Sequence, residues 1–189
     1  MEESKEDKGD SLNNKLMKTR SVLLFGEVNK VLGEKIIKQL LILDKDGSEP
    51  ITVYIDSPGG DIDAGFAIFD TLRFINSPIS CVVMGLAASM GAMILLAAGP
   101  DKRFGFPNSR YLIHQPLISG TLKGVATEIE IHANEMQKYR HKINEIIAKE
   151  CNKELTQVEK DTDRDHWFSA EEAINYGLIS RIINHKKEL

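Results

Sequence analysis

Short apolar runs alternate with longer amphipathic segments along this chain, and the alternation starts at residue 21. Apolar positions recur at helical spacing from Ile36 to Leu41 and again in DIDAGFAIFDTLRFI (61–75). The runs that flank these helical segments are rich in β-branched residues and bounded by turn residues, which is typical of buried strands: SVLLFG (21–26), ITVYID (51–56) and ISCVVM (79–84). This strand–helix order predicts an α/β fold with a mostly parallel sheet and right-handed crossovers.

The second half of the chain adds short strands around one long helix. RYLI (110–113) and LISRII (178–183) predict strands, and the Ala-rich segment after Ser89 predicts a buried helix. Residues 124–150 carry an apolar stripe at helical spacing. A helix of that length spans about 40 Å, which is more than the core of a small domain requires. We therefore expect this helix to project and to pack against another subunit.

Two patterns predict where the last helices begin. The segments TQVE (156–159) and SAEE (169–172) both have the capping-box form, in which a Ser or Thr and a Glu three residues later bond the first-turn backbone. Gly177 is expected to end the second of these helices, because glycine readily adopts the left-handed conformation found at helix C-termini.

Length, composition and charge narrow the class of protein. A chain of 189 residues suits one domain with a sizeable core. Hydrophobic residues make up 42% and charged residues 28%, an ordinary balance for a globular protein. The net charge of -4 argues against a nucleic-acid partner, because a nucleic-acid-binding surface is basic. We expect residues 1–18 to form a mobile N-terminal arm, residues 19–185 a single domain and residues 186–189 a charged tail.

The sequence signals for location favour the cytoplasm. The longest near-continuous apolar stretch, from Ala92 to Gly99, is far shorter than the roughly 20 residues that cross a bilayer. The polar, acidic start MEESKEDKGD differs from the basic-then-apolar start of a secretory signal. Cys81 and Cys151 form no CxxC motif, and we expect them to be buried, reduced thiols.

The turn DSPGGD (56–61) joins a predicted strand to a predicted helix. Its two glycines allow positive φ angles and leave backbone amides accessible at the start of the helix. The sequence contains neither the G-x-G-x-x-G motif nor the phosphate-binding loop motif, so a nucleotide site is not expected. Three interpretations stay open: a plain tight turn, a donor to an oxyanion, or a docking place for a peptide backbone.

Ser89 is the first candidate for catalysis. It lies in AASMG (87–91), one residue away from the G-x-S-x-G form of a nucleophile elbow. At a helix N-terminus, the backbone amides and the helix dipole stabilise a developing oxyanion. Serine is also a preferred helix cap, and the motif alone favours that simpler interpretation. A nucleophilic serine also needs a base within hydrogen-bond reach.

His114 and Asp165 are the candidates that would complete such a site. His114 ends the strand YLI, at the carboxyl edge where open α/β sheets bind their ligands, and the other histidines lie in charged or polar segments. A catalytic histidine needs a carboxylate to orient it. In EKDTDRDHWF (159–168), Asp165 stands beside apolar residues that could bury it, whereas Asp161 is expected to be a solvated charge. The order Ser89, His114, Asp165 differs from that of the α/β-hydrolases.

Five segments together resemble the ClpP family, the proteolytic subunits of the ATP-dependent Clp (caseinolytic) proteases. They occur in the family's order over roughly residues 20–183 and are highly specific as a set: YIDSPGGDIDAGFAIFDTLRFI, GLAASMGAMILLAAG, YLIHQPL, ATEIEIHANE and DTDRDHWFSAEEAINYGLI. The resemblance implies the ClpP/crotonase-like α/β fold, with repeated β-β-α and βαβ units. Residues 124–150 would be its projecting "handle" helix.

The resemblance also implies a serine peptidase. In it, Ser89 would be the nucleophile, His114 the general base and acid, and Asp165 the orienting carboxylate. The oxyanion hole would consist of the backbone N–H groups of Gly60 and Met90.

Other residues match assembly contacts of the family. Asp163 and Arg164 correspond to the pair at the contact between rings, and Tyr54 and Phe74 to part of the pocket that docks the unfoldase. The family forms two stacked heptameric rings around a chamber, into which an AAA+ unfoldase such as ClpX, ClpA or ClpC delivers unfolded polypeptide. ATP is used by that partner, so we expect no cofactor and no metal in this chain.

Three departures from the family pattern keep an alternative open. The segment MEESKEDKGDSLNNKLMKTRSVLLFG replaces the usual axial-loop stretch, QPLISGTLKG (115–124) is longer than usual, and Thr52 stands where the docking pocket commonly has an aromatic residue. The alternative is a ClpP-like paralogue that is inactive alone and acts as a structural or regulatory subunit of a mixed complex. A third hypothesis is a crotonase acting on acyl-CoA, and the Ser-His-Asp set counts against it.

Overall fold

The computed structural model of the chain describes residues 12–117 and 123–189. A short helical segment at 12–17 precedes the first strand. The strands are β1 (Ser21–Phe25), β2 (Ile51–Ser57), β3 (Ile79–Ala88), β4 (Arg103–Gly105), β5 (Arg110–Ile113), β6 (His166–Phe168) and β7 (Arg181–Ile182). The α-helices that follow β1 are α1 (Lys30–Asp46), α2 (Ile62–Phe74), α3 (Met90–Leu95), α4 (Ala126–Glu150), α5 (Leu155–Asp161) and α6 (Ala170–Tyr176).

The sheet is almost entirely parallel. Its main path is β1-β2-β3-β4-β7, and every pair along that path is parallel. Strand β3 is long enough to serve two neighbours, since Cys81–Val83 pairs with β4 and Leu86–Ala88 pairs with β5. Strand β6 joins β5 in the antiparallel direction. The α/β fold with a mostly parallel sheet that the sequence pattern predicts is confirmed.

The core is built from the apolar faces of these elements. Along β2 the residues alternate between buried and half-buried, so that Ile51, Val53 and Ile55 lie on the buried face. Helices α1 and α2 pack closely where Gly33 of α1 meets Ala64 of α2. All residues of α3 are buried, which explains why its sequence is apolar on every side and confirms the predicted buried helix.

The long predicted helix is confirmed as α4, which has 25 residues and begins at Ala126. At 1.5 Å per residue it is about 37 Å long. Its C-terminal part packs into the core through Ile143 and Ile147, whereas Ile129 and Ile131 near its start are exposed. The first half of α4 therefore extends beyond the core of the chain and carries apolar side chains there.

Several local predictions differ from the structure. The sequence pattern does not predict β4 or β6, and the predicted strand 178–183 is reduced to β7. The capping box expected at 156–159 is wrong: α5 begins at Leu155 with Glu154 as its cap residue, so Thr156 already lies in the first turn.

The second capping box is confirmed, since Ser169 and Glu172 bond each other's backbone N–H groups. Gly177 ends α6 with a φ of 98°, as predicted.

Part of the predicted N-terminal arm contacts the domain. The helical segment 12–17 ends at Met17, whose side chain packs against the core. Residues 1–11 of the arm lie outside the described residues, as do residues 118–122 of the segment QPLISGTLKG. Among the helices of the described part, none is long and apolar enough to cross a membrane.

Candidate active site

Ser89 occupies a sharp turn between the end of β3 and the start of α3. Its φ of 53° and ψ of -121° are unusual for a residue other than glycine and are typical of a nucleophile on a strained strand-to-helix turn. Within the described residues its hydroxyl makes no capping hydrogen bond to α3, although Ser89 stands at the cap position. The Ser89 N–H donates to the carbonyl of Leu112 at 2.9 Å, which fixes this turn to β5.

The glycine turn that follows β2 lies directly against Ser89. A Cβ on Gly59 would come within 2.7 Å of the Ser89 Cβ and 2.8 Å of the Met90 nitrogen, and Gly59 has a φ of 89°. Only glycine fits such a close approach in this conformation. The plain tight-turn interpretation of DSPGGD is therefore incomplete, because the turn also forms one side of the pocket around Ser89.

The N–H and C=O groups of Gly60 point away from Val28. The Val28 N–H donates to the Gly59 carbonyl at 2.7 Å, and the Asp61 N–H donates to the Val28 carbonyl at 2.8 Å. In a parallel bridge of this type, the groups of the middle residue point away from the bridging strand. Gly60 and Met90 both line the cavity that contains Ser89, and the Met90 N–H belongs to the first turn of α3, where amides lack intrahelical partners.

His114 and Asp165 are brought together by the pairing of β5 with β6. In that antiparallel pair Ile113 lies opposite His166, so the residues just beyond, His114 and Asp165, become neighbours. The His114 Nδ1 is 3.2 Å from the Asp165 Oδ1. The His114 side chain is 16% exposed and the Asp165 side chain 63% exposed, so the apolar neighbours of Asp165 in sequence do not bury it.

Backbone contacts hold the segments of His114 and Asp165 side by side. The Gln115 N–H donates to the Thr162 carbonyl at 2.6 Å, and the Gln115 side-chain amide donates to the Asp163 carbonyl at 2.7 Å. Thr162 is buried and donates its hydroxyl to the buried Asn144 side chain at 2.9 Å, which anchors this segment to α4. The relative position of His114 and Asp165 therefore depends on the end of α5 and on the C-terminal part of α4.

Ser89 and His114 line one cavity of about 590 Å³. Its apolar walls come from α3, β5 and α4, and its rim carries carboxylates from residues near the glycine turn. The lining residues most relevant to chemistry are Ser89, His114, Gly60, Met90, Asp63 and Tyr139. A cavity with apolar walls and a few convergent polar groups is the usual form of a substrate site.

The predicted assembly residues lie away from this cavity. Asp163 pairs with Arg140 of α4 at 3.2 Å and more loosely with Arg164 at 3.9 Å, and the Arg164 side chain is almost fully exposed. Tyr54 of β2 is half-buried beside a small apolar cluster, and burial raises the pKa of its hydroxyl. Phe74, the last residue of α2, is 80% exposed.

Sequence reasoning misses several residues that shape the site. Arg140 and Gln115 both bond Asp163, although neither belongs to a motif that signals such a contact. Asp63 and Tyr139 form a hydrogen bond between α2 and α4 across the cavity wall. The sequence shows Tyr139 on the apolar stripe of α4 and Asp63 in the first turn of α2. Their pairing, however, depends on how the two helices cross.

In residues 12–117 and 123–189, no three side chains of His, Cys, Asp or Glu converge in an arrangement that could hold a metal ion.

Comparisons with known proteins agree with the architecture and the motifs. Residues 4–186 match the Clp protease family. The chain is 54% identical over 187 residues to the ATP-dependent Clp protease proteolytic subunit 2 of Treponema denticola, covering 98% of this chain and 92% of that protein. It is 53% identical over 176 residues to the protein of the same name from Treponema pallidum, covering 93% and 87% respectively.

A solved structure gives the same result. A ClpP1 mutant from Listeria monocytogenes superposes with a TM-score of 0.86 at 43% sequence identity, covering 93% of this chain and 98% of that one. These similarities identify the chain as a serine-type peptidase, a class of hydrolase. The chain belongs to the Clp protease family. The ClpP-type fold is thereby confirmed, and membership implies association with Clp ATPases and assembly into oligomeric rings.

Proposed function

We propose that this chain is the proteolytic subunit of an ATP-dependent Clp protease and cleaves unfolded polypeptides into short peptides. The observation that carries the proposal is the contact of 3.2 Å between His114 Nδ1 and Asp165 Oδ1, at a cavity that Ser89 lines together with His114. A crotonase has no need for these three side chains. Their juxtaposition therefore favours acyl transfer from a peptide over chemistry on acyl-CoA.

Ser89 is the nucleophile in this mechanism. Because Asp165 faces Nδ1 of His114, the Nε2 atom is left to take the proton from the Ser89 hydroxyl. The Ser89 Oγ forms a bond to the substrate carbonyl carbon as the proton moves to His114. When the tetrahedral intermediate collapses, the C–N bond breaks and His114 returns the proton to the leaving amine. Water then loses a proton to His114 as its oxygen bonds the acyl carbon. The bond from that carbon to the Ser89 Oγ breaks, and His114 returns the proton to the Oγ.

The oxyanion of the intermediate is stabilised by backbone amides. Gly60 and Met90 supply the two N–H groups, one from the glycine turn and one from the first turn of α3. The close packing of Gly59 against Ser89 supports this role, because it sets the distance between the turn and the nucleophile. Donors held rigidly in this way stabilise the transition state without reorganising.

In the proposed function, the assembly of subunits into rings controls which polypeptides reach the active site. Two heptameric rings meet along α4 and enclose a chamber, with Asp163 and Arg164 at the ring contact. An AAA+ unfoldase of the ClpX, ClpA or ClpC type docks at a pocket that includes Tyr54 and Phe74, uses ATP and delivers the polypeptide. This chain itself needs no cofactor. The exposure of Phe74 supports a docking role for it.

We place the protein in the cytoplasm, where thiols stay reduced. Cys81 and Cys151 are both buried and free in the structure. Burial raises the pKa of each thiol to about 12, so both remain protonated and unreactive.

A second candidate function is that of a partner-dependent subunit in a mixed ring. The curated relatives are named proteolytic subunit 2, which favours a role beside another ClpP-type chain. The exposure of Asp165 is consistent with this role, because a neighbouring subunit could cover the carboxylate and strengthen its contact with His114.

Peptide hydrolysis and native mass spectrometry separate the two candidates. The wild-type chain and Ser89→Ala are assayed alone and with a ClpP-type partner, and the rings are weighed in each case. Peptidase activity of the wild-type chain alone, lost in Ser89→Ala with the ring intact, supports the first candidate. Activity that appears only with the partner supports the second, whether or not it survives Ser89→Ala. Activity that persists in Ser89→Ala rings made of this chain alone contradicts both.

A further inference from the structure

The cavity beside Ser89 has an acidic rim above apolar walls. Its carboxylates belong to Glu27, Asp61 and Asp63, and its described lining includes neither Lys nor Arg. The apolar walls are formed by Met90, Met93, Met136, Ile143 and Ile147. A ligand group with a flexible apolar stem and a positively charged end matches both features of this lining.

Asp63 is the carboxylate best placed to meet such a charge. The Tyr139 hydroxyl donates to Asp63 Oδ1 at 2.5 Å, and within the described residues Oδ2 has no partner. Asp61, by contrast, caps α2 by accepting from the Ala64 N–H at 2.7 Å. The hydrogen bond to Asp63 is the main cause of a raised pKa at Tyr139, so the tyrosine remains a donor.

Tyr139 is itself fixed in orientation. Its ring stacks on Phe66 of α2, with the centroids 6.3 Å apart and the planes at 17°. The ammonium of Lys142 lies over the Phe66 ring, 4.3 Å from its centroid, and does not line the cavity. Lys142 is therefore engaged by an aromatic face, while Lys138 and Arg140 pair with Glu135 and Asp163. The charge of Asp63 stays available to a ligand.

The geometry points to a substrate preference of this peptidase: the cavity takes the Lys or Arg side chain of the residue whose carbonyl Ser89 attacks. The methylene groups of that side chain lie along the Met and Ile walls, and its cation bonds Asp63. This inference rests on the proposed function of Ser89. A charge-assisted bond in a partly enclosed site is stronger than a neutral one, so the pairing discriminates against an uncharged side chain of similar length.

Two peptides that differ in one group test the preference. Both are N-acetylated, so that neither has a free amine, and carry a fluorogenic leaving group after lysine or after norleucine, which keeps the apolar stem without the charge. The assembled protein, with its partner subunit where activity requires it, is expected to cleave the lysine peptide with a kcat/KM about tenfold higher. Asp63→Asn removes the charge at constant size and is expected to reduce the lysine-to-norleucine ratio of kcat/KM about tenfold.

Control variants separate the specific effect from a structural one. Asp70→Asn makes the same chemical change on the exposed face of α2, outside the cavity lining, and should leave the ratio unchanged. Tyr139→Phe leaves the charge but frees its orientation, and should lower the ratio by a smaller factor. Equal rates for the two peptides in the wild-type protein, or a ratio that Asp63→Asn does not alter, would overturn the preference alone. Cleavage of neither peptide, together with no fluorophosphonate adduct on Ser89, would overturn the proposed function and this inference with it. An adduct on Ser89 without cleavage of either peptide would overturn the preference alone.

Discussion

The Nδ1 atom of His114 lies 3.2 Å from Oδ1 of Asp165, although these residues are 51 positions apart in the chain. The contact follows from the antiparallel pairing of β5 with β6, which places the residue after β5 beside the residue before β6. In a serine peptidase this contact fixes the imidazole tautomer, so that Nε2 faces the nucleophile. In the isolated chain, the Asp165 carboxylate is exposed, so water can reach its contact with His114.

Replacing Asp165 with Asn tests the value of that contact. The amide keeps the size of the side chain but loses the charge that stabilises the imidazolium, so we expect kcat/KM for a peptide to fall by about a hundredfold or more. The control is Asp161→Asn, the same change four residues earlier, because Asp161 bonds only Tyr176 and Gln157 among the described residues and does not line the cavity. Equal activity of the Asp165 variant and the control would show that the carboxylate does not act in the reaction.

Replacing Gly59 with Ala tests the packing behind the nucleophile. The new Cβ would stand 2.7 Å from the Ser89 Cβ and from the Ala88 carbonyl oxygen, so the turn or the serine must move. We expect an activity loss of about a hundredfold, since small displacements of a catalytic group are costly. Gly26→Ala is the control, because Gly26 has a φ of 86° but nothing within 4 Å of its Cβ position.

The comparison of these two glycine variants separates backbone strain from steric contact. Both variants carry the strain of a positive φ, which costs roughly 1–3 kcal/mol of unfolding free energy. Only Gly59→Ala disturbs Ser89. Thermal denaturation and peptidase assays on both proteins therefore give a clear result: similar activities of the two variants would contradict the close coupling of the glycine turn to the nucleophile.

A buried ion pair holds the C-terminal end of α4. Arg103 of β4 is fully buried, and its guanidinium bonds the Glu150 carboxylate and the carbonyls of Ala98, at 2.8 Å, and Leu96, at 3.3 Å. Glu150 also pairs with Arg73 at 2.6 Å. Burial opposes the ionisation of Glu150, but the bonds and charges of the two arginines outweigh it and hold the pKa of Glu150 below its usual value.

Glu150→Gln should therefore destabilise the fold. The change leaves the buried Arg103 charge without its counter-ion, and we expect a loss of about 3–5 kcal/mol in the free energy of unfolding. Glu145→Gln on the exposed part of α4 is the control and should cost less than about 1 kcal/mol. Denaturant titrations of the three proteins at neutral pH provide the comparison, and equal midpoints would contradict a structural role for the ion pair.

The same pair predicts a dependence of stability on pH. Because the folded pKa of Glu150 lies below the ordinary value of 4.5, its stabilising contribution is present above pH 4.5 and is lost as the pH falls through the folded pKa. The stability of the wild-type protein should decline over this acidic range more steeply than that of Glu150→Gln, so the two curves converge. Parallel curves would mean that another group controls the acid transition.

The sequence predicts the long regular elements well and the short irregular ones poorly. Strands β1 to β3 are predicted because β-branched runs and bounding turns are local features. Strand β4 is missed because it begins with Arg103, and an arginine is usually exposed. Only the fold brings Glu150 next to Arg103 and allows it to be buried. The capping box expected at 156–159 fails because the helix begins at Leu155 with Glu154 as its cap residue, two residues before the predicted cap Thr156.

The candidate site shows the same division. Ser89 and His114 are recognisable from the strand ends at which they stand, and Asp165 from its motif. The burial of Asp165 is predicted wrongly, because Trp167 and its apolar neighbours follow the carboxylate in sequence without covering it in space. The bond between Asp63 and Tyr139 joins two helices whose contact no local pattern reveals.

Labelling with a fluorophosphonate tests the central claim, that Ser89 is an activated nucleophile, most directly. The assembled protein, with its partner subunit where required, is treated with the reagent, and the modified residue is identified by peptide mapping. We predict one covalent adduct, on Ser89, and its loss in His114→Ala rings of unchanged mass. Absence of an adduct on Ser89 in the assembled protein, or equal labelling of Ser89 in the His114 variant, would contradict the claim.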